Sequence, residues 1–477
     1  MGSPTLLPEQ QVSTLEAAFA AMQAASRREP FPDLALRRQR LTRLADVLFQ
    51  HQDAIAAAIS ADFGHRSAEE TRLAELFPSL EGIRHARHHL RRWMRPQRRS
   101  VAFWFKPARN RVMPQPLGVV GIVVPWNYPL FLAIGPLVAA LAAGNRAMIK
   151  MSEFTPQTGA LLADLLAQAL GPEVVQVFNG PVELAQRFGS LPFDHLLFTG
   201  STAVGREVMR AAAANLTPVT LELGGKSPVL LAADADMARA AEAVVAGKML
   251  NAGQTCVAPD YVLLPRGQRE QWVRALSAAA RKLYPALKDN PDYTAIINQR
   301  HYQRLASWIE AARAAGAVVE QINPRQEDTA SVRKLPLTLV WQCPEDAVLM
   351  QEEIFGPVLP LVEYDDLPQA IDYINQRPRP LALYLFSDQP AVQQRVLQQT
   401  VSGGVVINET MLHVIQEDMP FGGVGPSGMG HYHGREGFLT MSKLKPVMQQ
   451  RRLQTRWMLL PPYGALARCL LKLMVRK

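Results

Sequence analysis

Cys256 and Glu222 are the residues best suited to chemistry, and each sits on a glycine-containing segment. Cys256 ends the run Asn251-Ala252-Gly253-Gln254-Thr255-Cys256, directly after an alanine-rich helical pattern over 238–250. Glu222 lies in Leu221-Glu222-Leu223-Gly224-Gly225-Lys226, a carboxylate between apolar residues ahead of two glycines. A thiol nucleophile with a carboxylate base is the equipment of covalent catalysis. A cysteine alone is equally at home as a small buried hydrophobe, so its partners decide. Asn127, in Pro125-Trp126-Asn127-Tyr128-Pro129, offers an uncharged donor that suits an oxyanion developing on a carbonyl. Its bland reading is a loop asparagine satisfying nearby backbone.

Three further stretches suit a dinucleotide. Thr199-Gly200-Ser201 leads through Gly205 into a helical pattern, where backbone amides at a helix N-terminus can hold a pyrophosphate. The spacing is not the usual dinucleotide fingerprint, and an ordinary strand-to-helix turn looks the same. Lys150 ends a strand pattern and Glu153 follows it. An acid there can bond ribose hydroxyls and repel a 2′-phosphate, unless the two form a surface ion pair. In Glu352-Glu353-Ile354-Phe355-Gly356-Pro357, Glu353 is placed to accept from a ribose and Phe355 to pack on a flat ring. A plain strand or helix terminus is the alternative.

These residues need a scaffold, and the hydrophobic pattern supplies one. Residues 1–98 read as helices, with an apolar stripe from Leu73 through Leu76, Phe77, Leu80, Ile83, Ala86, Leu90, Trp93 and Met94. His85, His88 and His89 on that helix read as a solvated basic face. Apolar runs at 101–105 and 111–113 predict a β-hairpin. From 118 onward strand and helix alternate: strands over 118–124, 146–151, 174–178, 195–198 and 219–223, then 261–264, 359–364 and 383–386. Thr155-Pro156 reads as a helix start with threonine as the cap. This repetition implies a parallel, doubly wound sheet. The glycine-rich stretch at 421–428 reads as a tightly turned loop.

The chain has 477 residues, 48% hydrophobic and 19% charged, as expected for a multidomain globular protein. Three scattered cysteines make neither a disulfide framework nor a metal cluster, and no metal is expected. The first six residues lack the pattern of a secretion signal, so a cytoplasmic protein is expected. The formal charge is +9, and nine lysines and arginines with no acid fall between Lys443 and Lys477. The rest is neutral, which argues against a nucleic-acid-binding face. In the tail, Arg468, Lys472 and Arg476 share one helical face and Leu466, Cys469, Leu470, Leu473 and Met474 another. Such a helix either packs on the body of the protein or lies on an anionic membrane surface.

Taken together and in order, the motifs resemble the aldehyde dehydrogenase superfamily over 116–446. They are Pro125-Trp126-Asn127, Lys150 to Glu153, Thr199-Gly200-Ser201 with Gly205, Leu221 to Lys226, Gly253-Gln254-Thr255-Cys256, Glu353 to Pro357 and Pro420-Phe421-Gly422-Gly423-Val424-Gly425. The short N-terminus and His431-Tyr432-His433-Gly434 are similar to the class 3 branch. Leu459-Leu460-Pro461-Pro462-Tyr463-Gly464 points toward its bacterial coniferyl aldehyde dehydrogenases.

The resemblance implies an α/β fold in three parts. A doubly wound cofactor-binding domain comprises 1–98 and 119–223, and an α/β catalytic domain 224–405. A small β oligomerisation element comprises 99–118 and 406–446, and a basic tail follows over 447–477. It implies NAD or NADP as cofactor, with Glu153 favouring NAD, and a homodimer. Cys256 would attack an aldehyde, Asn127 would stabilise the oxyanion, and Glu222 would activate water against the thioester. Lys150 and Glu153 would face the adenosine ribose, Gly200, Ser201 and Gly205 the pyrophosphate, and Glu353 with Phe355 the nicotinamide end. Trp126, Tyr128, Met249, Thr255 and Met411 are expected in the substrate pocket. Met151 departs from the small residue usual after the lysine. A fatty or broad-specificity enzyme and a non-catalytic scaffold are the competing readings.

Overall fold

The computed structural model describes residues 8–452 and 460–475. Residues 1–6, Leu459, Arg476 and Lys477, all named above, lie outside the described residues.

The first layer is helical: Pro8–Arg28, Leu34–Gln50, Gln52–Phe63 and Phe77–Trp93. The expected stripe from Leu73 needs correction. A wide π-turn at Arg72–Leu76 inserts an extra residue and shifts the helical phase. Leu76, Ile83, Ala86, Leu90 and Trp93 are therefore buried, while Leu73 and Phe77 face outward. The histidines are also less solvated than their neighbours suggested. His85 and His89 are half-buried with ring centroids 4.3 Å apart, and His89 stacks on Trp93. Among the described residues no His, Cys, Asp and Glu group is arranged to hold a metal.

The 101–105 half of the expected hairpin is not a strand. Phe103–Phe105 forms a single 3-10 turn, and Gln97–Arg99 pairs with Arg109–Pro116 instead. Ser442–Gln449 joins along the other edge of Arg109–Pro116 and completes a three-stranded antiparallel sheet.

Five strands then build a parallel sheet in the spatial order Val219–Leu223, His195–Gly200, Val119–Val123, Arg146–Lys150, Val175–Phe178. The winding reverses between Val119–Val123 and His195–Gly200. Carboxyl ends flanking such a reversal leave a crevice where ligands bind, and both Asn127 and Ser201 follow those ends. Gly428–Met429 adds antiparallel beside Val219–Leu223, with Gly428 opposite Glu222. Helix Phe131–Ala143 is apolar on all sides and almost wholly buried, ending at left-handed Gly144. Helix Pro156–Leu170 starts with proline as expected, but Thr155 does not cap it. Asp62 accepts from the amides of Gln157 at 3.0 Å and Thr158 at 2.9 Å instead.

A second, seven-stranded sheet runs Val318–Ile322, Leu337–Trp341, Val358–Tyr364, Tyr261–Pro265, Pro228–Leu231, Ala382–Phe386, Gly404–Ile407, parallel except for the first strand. Its interior strand Pro228–Leu231 escaped the sequence reading. It has four residues, too few to show a period, and starts with a proline. Cys256 lies between the two large sheets, after helix Met237–Met249.

Candidate active site

The chain reaches Cys256 through a strained turn. Asn251 and Ala252 both adopt left-handed backbone, φ 52° and 51°, which costs about 1–3 kcal/mol each for residues other than glycine. The surroundings hold them there. The Asn251 amide donates to both oxygens of buried Glu70, at 3.2 and 3.3 Å. Asn251 Nδ2 donates to the carbonyls of Asn127 and Gln254. The Gln254 side chain donates to Asn251 O and Ala295 O and accepts from Ile297 N. The thiol thus arrives on a braced scaffold.

Two cavities meet at Cys256. One, of about 230 Å³, is bounded by Asn127, Gly200, Ser201, Glu222, Glu353 and Phe355. The other, of about 160 Å³, is lined by apolar side chains together with Tyr128, Thr255 and Tyr432. Cys256 and Leu132 border both. A nucleophile on the partition between a polar cleft and an apolar pocket can bond a molecule held in one while the carbon it has bonded gives up a hydride toward the other.

Asn127 is buried and gives one Nδ2 hydrogen to Gln254 O at 3.0 Å, leaving the other for the cleft it shares with Cys256. Glu222 is buried, and neither carboxylate oxygen has a partner among the described residues. Burial alone pushes its carboxyl well above the usual range. Glu353 is pushed up to about 8, by burial first and then by Asp260, while the Gly225 amide, Lys226 and Arg304 oppose the shift. A methyl group on Gly224 would overlap the Glu353 carboxylate, so the second glycine-flanked motif makes room for this acid. Burial, Glu353 and Glu222 raise the Cys256 thiol to about 12, and the amides of Cys256 and Val257 pull the other way. The resting thiol is protonated at neutral pH.

Around the cleft, Ser201 caps helix Thr202–Ala213 by accepting from Val204 N at 3.4 Å. Its amides fit a pyrophosphate, and the unpaired Oε1 of Glu353 and the two unpaired oxygens of Glu222 fit a hydroxyl donor and a water. These are the features a bound dinucleotide requires. Gly205 lies off the cleft. A Cβ there would meet Leu223 at 2.7 Å, so this glycine brings helix and strand close together. Lys150 is buried, and its Nζ donates to Met151 O at 2.7 Å and Gly180 O at 2.9 Å rather than to Glu153, which is exposed. The Met151 side chain is buried and leaves Lys150 at its strand end. Phe355, at φ 51°, meets Trp126 edge to face at 5.3 Å.

The expected pocket lining divides. Tyr128, Thr255 and Met411 border the apolar pocket, and Tyr128 and Thr255 share a hydroxyl hydrogen bond of 2.8 Å. Trp126 instead borders the polar cleft, against Phe63, His301 and Phe355. Met249 is 1% exposed and borders neither cavity. Leu73, Leu132, Leu250, Ile415, Phe421 and Tyr432 line the pocket without having been singled out for it. In sequence Leu73 and Leu132 match any core leucine. The buried acids Glu70 and Glu75, with Arg66, were not singled out in the sequence at all.

The sequence pattern of the aldehyde dehydrogenase family matches residues 5–447. The chain belongs to that family. A relative described as a probable coniferyl aldehyde dehydrogenase, from Pseudomonas aeruginosa, is 54% identical over 98% of both chains. Aldehyde dehydrogenase family 3 member A2 of Rattus norvegicus is 39% identical, covering 92% of this chain and 88% of its own. A solved structure described as the substrate-bound state of Staphylococcus aureus AldH superposes with a TM-score of 0.91. It is 36% identical and covers 97% of this chain and 99% of its own. This aldehyde dehydrogenase is an NAD(P)-dependent oxidoreductase, and the polar cleft is the part that fits its nicotinamide cofactor.

Proposed function

We propose that the enzyme oxidises aromatic aldehydes of the coniferyl type, or apolar aldehydes of medium chain length, to carboxylic acids. The observation that carries this reading is the apolar pocket ending at Cys256 on the far side of the partition from the polar cleft. Cys256, once deprotonated, adds to the aldehyde carbon and forms a thiohemiacetal. Asn127 Nδ2 and the Cys256 amide hold its oxyanion, and one such donor typically contributes about 2.7–4 kcal/mol. The bound nicotinamide supplies a hydride acceptor, and a thioester on Cys256 remains. Glu222 takes a proton from water, which hydrolyses the thioester to acid and free thiol. Lys150 and Glu153 serve the adenosine ribose, Gly200 and Ser201 the pyrophosphate, and Glu353 and Phe355 the nicotinamide side. Glu153 at the strand end favours NAD over NADP, because an acid repels a 2′-phosphate.

A panel of coniferaldehyde, benzaldehyde, hexanal and dodecanal, each with NAD and NADP, tests this reading. The expected result is the highest kcat/KM with an aromatic or medium-chain aldehyde and NAD. Failure to form NADH or NADPH from every aldehyde would sink it.

The small sheet supports a homodimer, since Phe103, Phe105, Leu444 and Met448 expose apolar surface around it. In the tail, helix Ala465–Met474 buries only Ala467, with Leu470 and Met474 half-buried. Leu466 and Leu473 are 53% and 55% exposed on the single chain, so its own body leaves this apolar face open. No helix among the described residues is long and apolar enough to cross a membrane. The exposed leucines and neighbouring basic residues favour peripheral contact with anionic lipid. Sedimentation should report a dimer. Flotation with phosphatidylserine vesicles should retain the full chain better than a chain ending at Gln450. A monomer, or equal flotation, would remove the respective claim.

A further inference from the structure

We propose that Arg66 is a positioning residue that sets the oxyanion donor, an inference that rests on the role proposed above for Asn127. The Arg66 side chain has no exposed surface. Its Nη1 donates both to the Asn127 carbonyl oxygen at 2.9 Å and to Glu75 Oε1 at 2.7 Å. The other oxygen of Glu75 accepts from the amides of Leu130 at 2.7 Å and Phe131 at 3.1 Å, where the buried helix begins. The guanidinium also lies over the rings of Phe63 and Tyr128, 5.1 and 4.8 Å from their centroids. One ion pair from the first helical layer therefore grips the loop at 127, 128, 130 and 131.

The opposite side of that loop is held by the nucleophile turn. Asn251 Nδ2 donates to the same Asn127 carbonyl at 3.0 Å, and Asn127 Nδ2 donates to Gln254 O at 3.0 Å. The peptide that carries the Asn127 side chain is thus fixed between Arg66 and the segment delivering Cys256. The distance from the oxyanion donor to the nucleophile depends on both grips.

Stability alone does not account for the pair. Arg66 Nε and Nη2 have no partner among the described residues. Buried donors left idle are costly, and a well-packed apolar replacement for a buried ion pair is often as stable or more so. What an apolar replacement cannot supply is the second N–H on the Asn127 carbonyl, the one that opposes Asn251 across the loop.

The test compares Arg66→Met/Glu75→Gln, Arg66→Lys and Asn127→Ala with the parent enzyme by rapid-mixing measurement of the NADH burst, NAD affinity and melting temperature. In Arg66→Met/Glu75→Gln the burst rate should fall about 10²-fold, the scale expected for a misplaced reacting group. NAD affinity and melting temperature should be close to those of the parent. Arg66→Lys, which keeps the charge but not the reach of Nη1 to both Asn127 O and Glu75, should fall between. Adding Asn127→Ala to the double variant should cost little more, because both changes act through one donor. A parental burst rate in Arg66→Met/Glu75→Gln beside a slow Asn127→Ala would overturn this inference alone. If the double variant does not fold, a parental burst in Arg66→Lys overturns it. Full additivity with Asn127→Ala would also overturn it, and a parental burst in Asn127→Ala would remove the oxyanion role and this inference together.

Discussion

Cys256→Ala should bind NAD normally and form no NADH from any aldehyde, a loss in kcat of about 10⁴-fold or more, the scale seen when a catalytic nucleophile is deleted. The reason is positional. Cys256 is the thiol bordering both cavities, and neither Cys343 nor Cys469 lines either of them. The turn that presents it is braced through Glu70, Asn251 and Gln254, none of which bonds the sulfur. The alanine variant should therefore keep its fold and melting temperature. Calorimetric titration with NAD beside a steady-state assay checks both halves. Turnover comparable with the parent would mean that a different group attacks the aldehyde.

Glu222→Gln should give a burst of NADH near one per active site, followed by turnover slowed about 10²–10⁴-fold, the usual worth of a general base. Hydride transfer does not need this carboxylate, whereas thioester hydrolysis does. The pH dependence has a definite sign. Burial favours the protonated form of Glu222, and its carboxyl lies well above the usual carboxylate range. The base works only when ionised, so hydrolysis-limited kcat should climb as pH rises through that elevated value. In Glu222→Gln the climb should be lost. An unaltered kcat profile in that variant would show that another group activates the water. Glu353 is the group to examine next, since it shares the cleft and is held near 8.

The helices and parallel strands were legible because an apolar period survives in any run long enough to show it. The strands over 119–123, 146–150 and 219–223 fall within about two residues of where the pattern put them. Pro228–Leu231 was not legible, being a fully buried strand too short for a period. The hairpin was placed on the wrong residues because aromatic residues at 103–105 favour strands only where a neighbouring strand is available, and Arg109–Pro116 pairs elsewhere. Leu73 was assigned to the core stripe because a π-turn leaves no mark in the spacing of apolar residues.

The chemistry was legible for a different reason. Cys256, Glu222 and Asn127 are residue types with few roles on short, glycine- or proline-bounded segments, and such segments place a side chain by local backbone geometry. Together with the other motifs, in order, they carried the resemblance to the family that the chain matches over residues 5–447. Tertiary structure decided everything that depends on who is buried beside whom. It set Cys256 on a partition between two cavities, buried Glu222 and Glu353 so that their protonated forms are favoured, and placed Trp126 on the polar cleft. It also folded Arg66, Glu70 and Glu75 inward against the catalytic loops. A charged residue carries no local sign of being buried. Only contacts between segments far apart in the chain distinguish a solvated arginine from one that, like Arg66, is buried against the Asn127 loop.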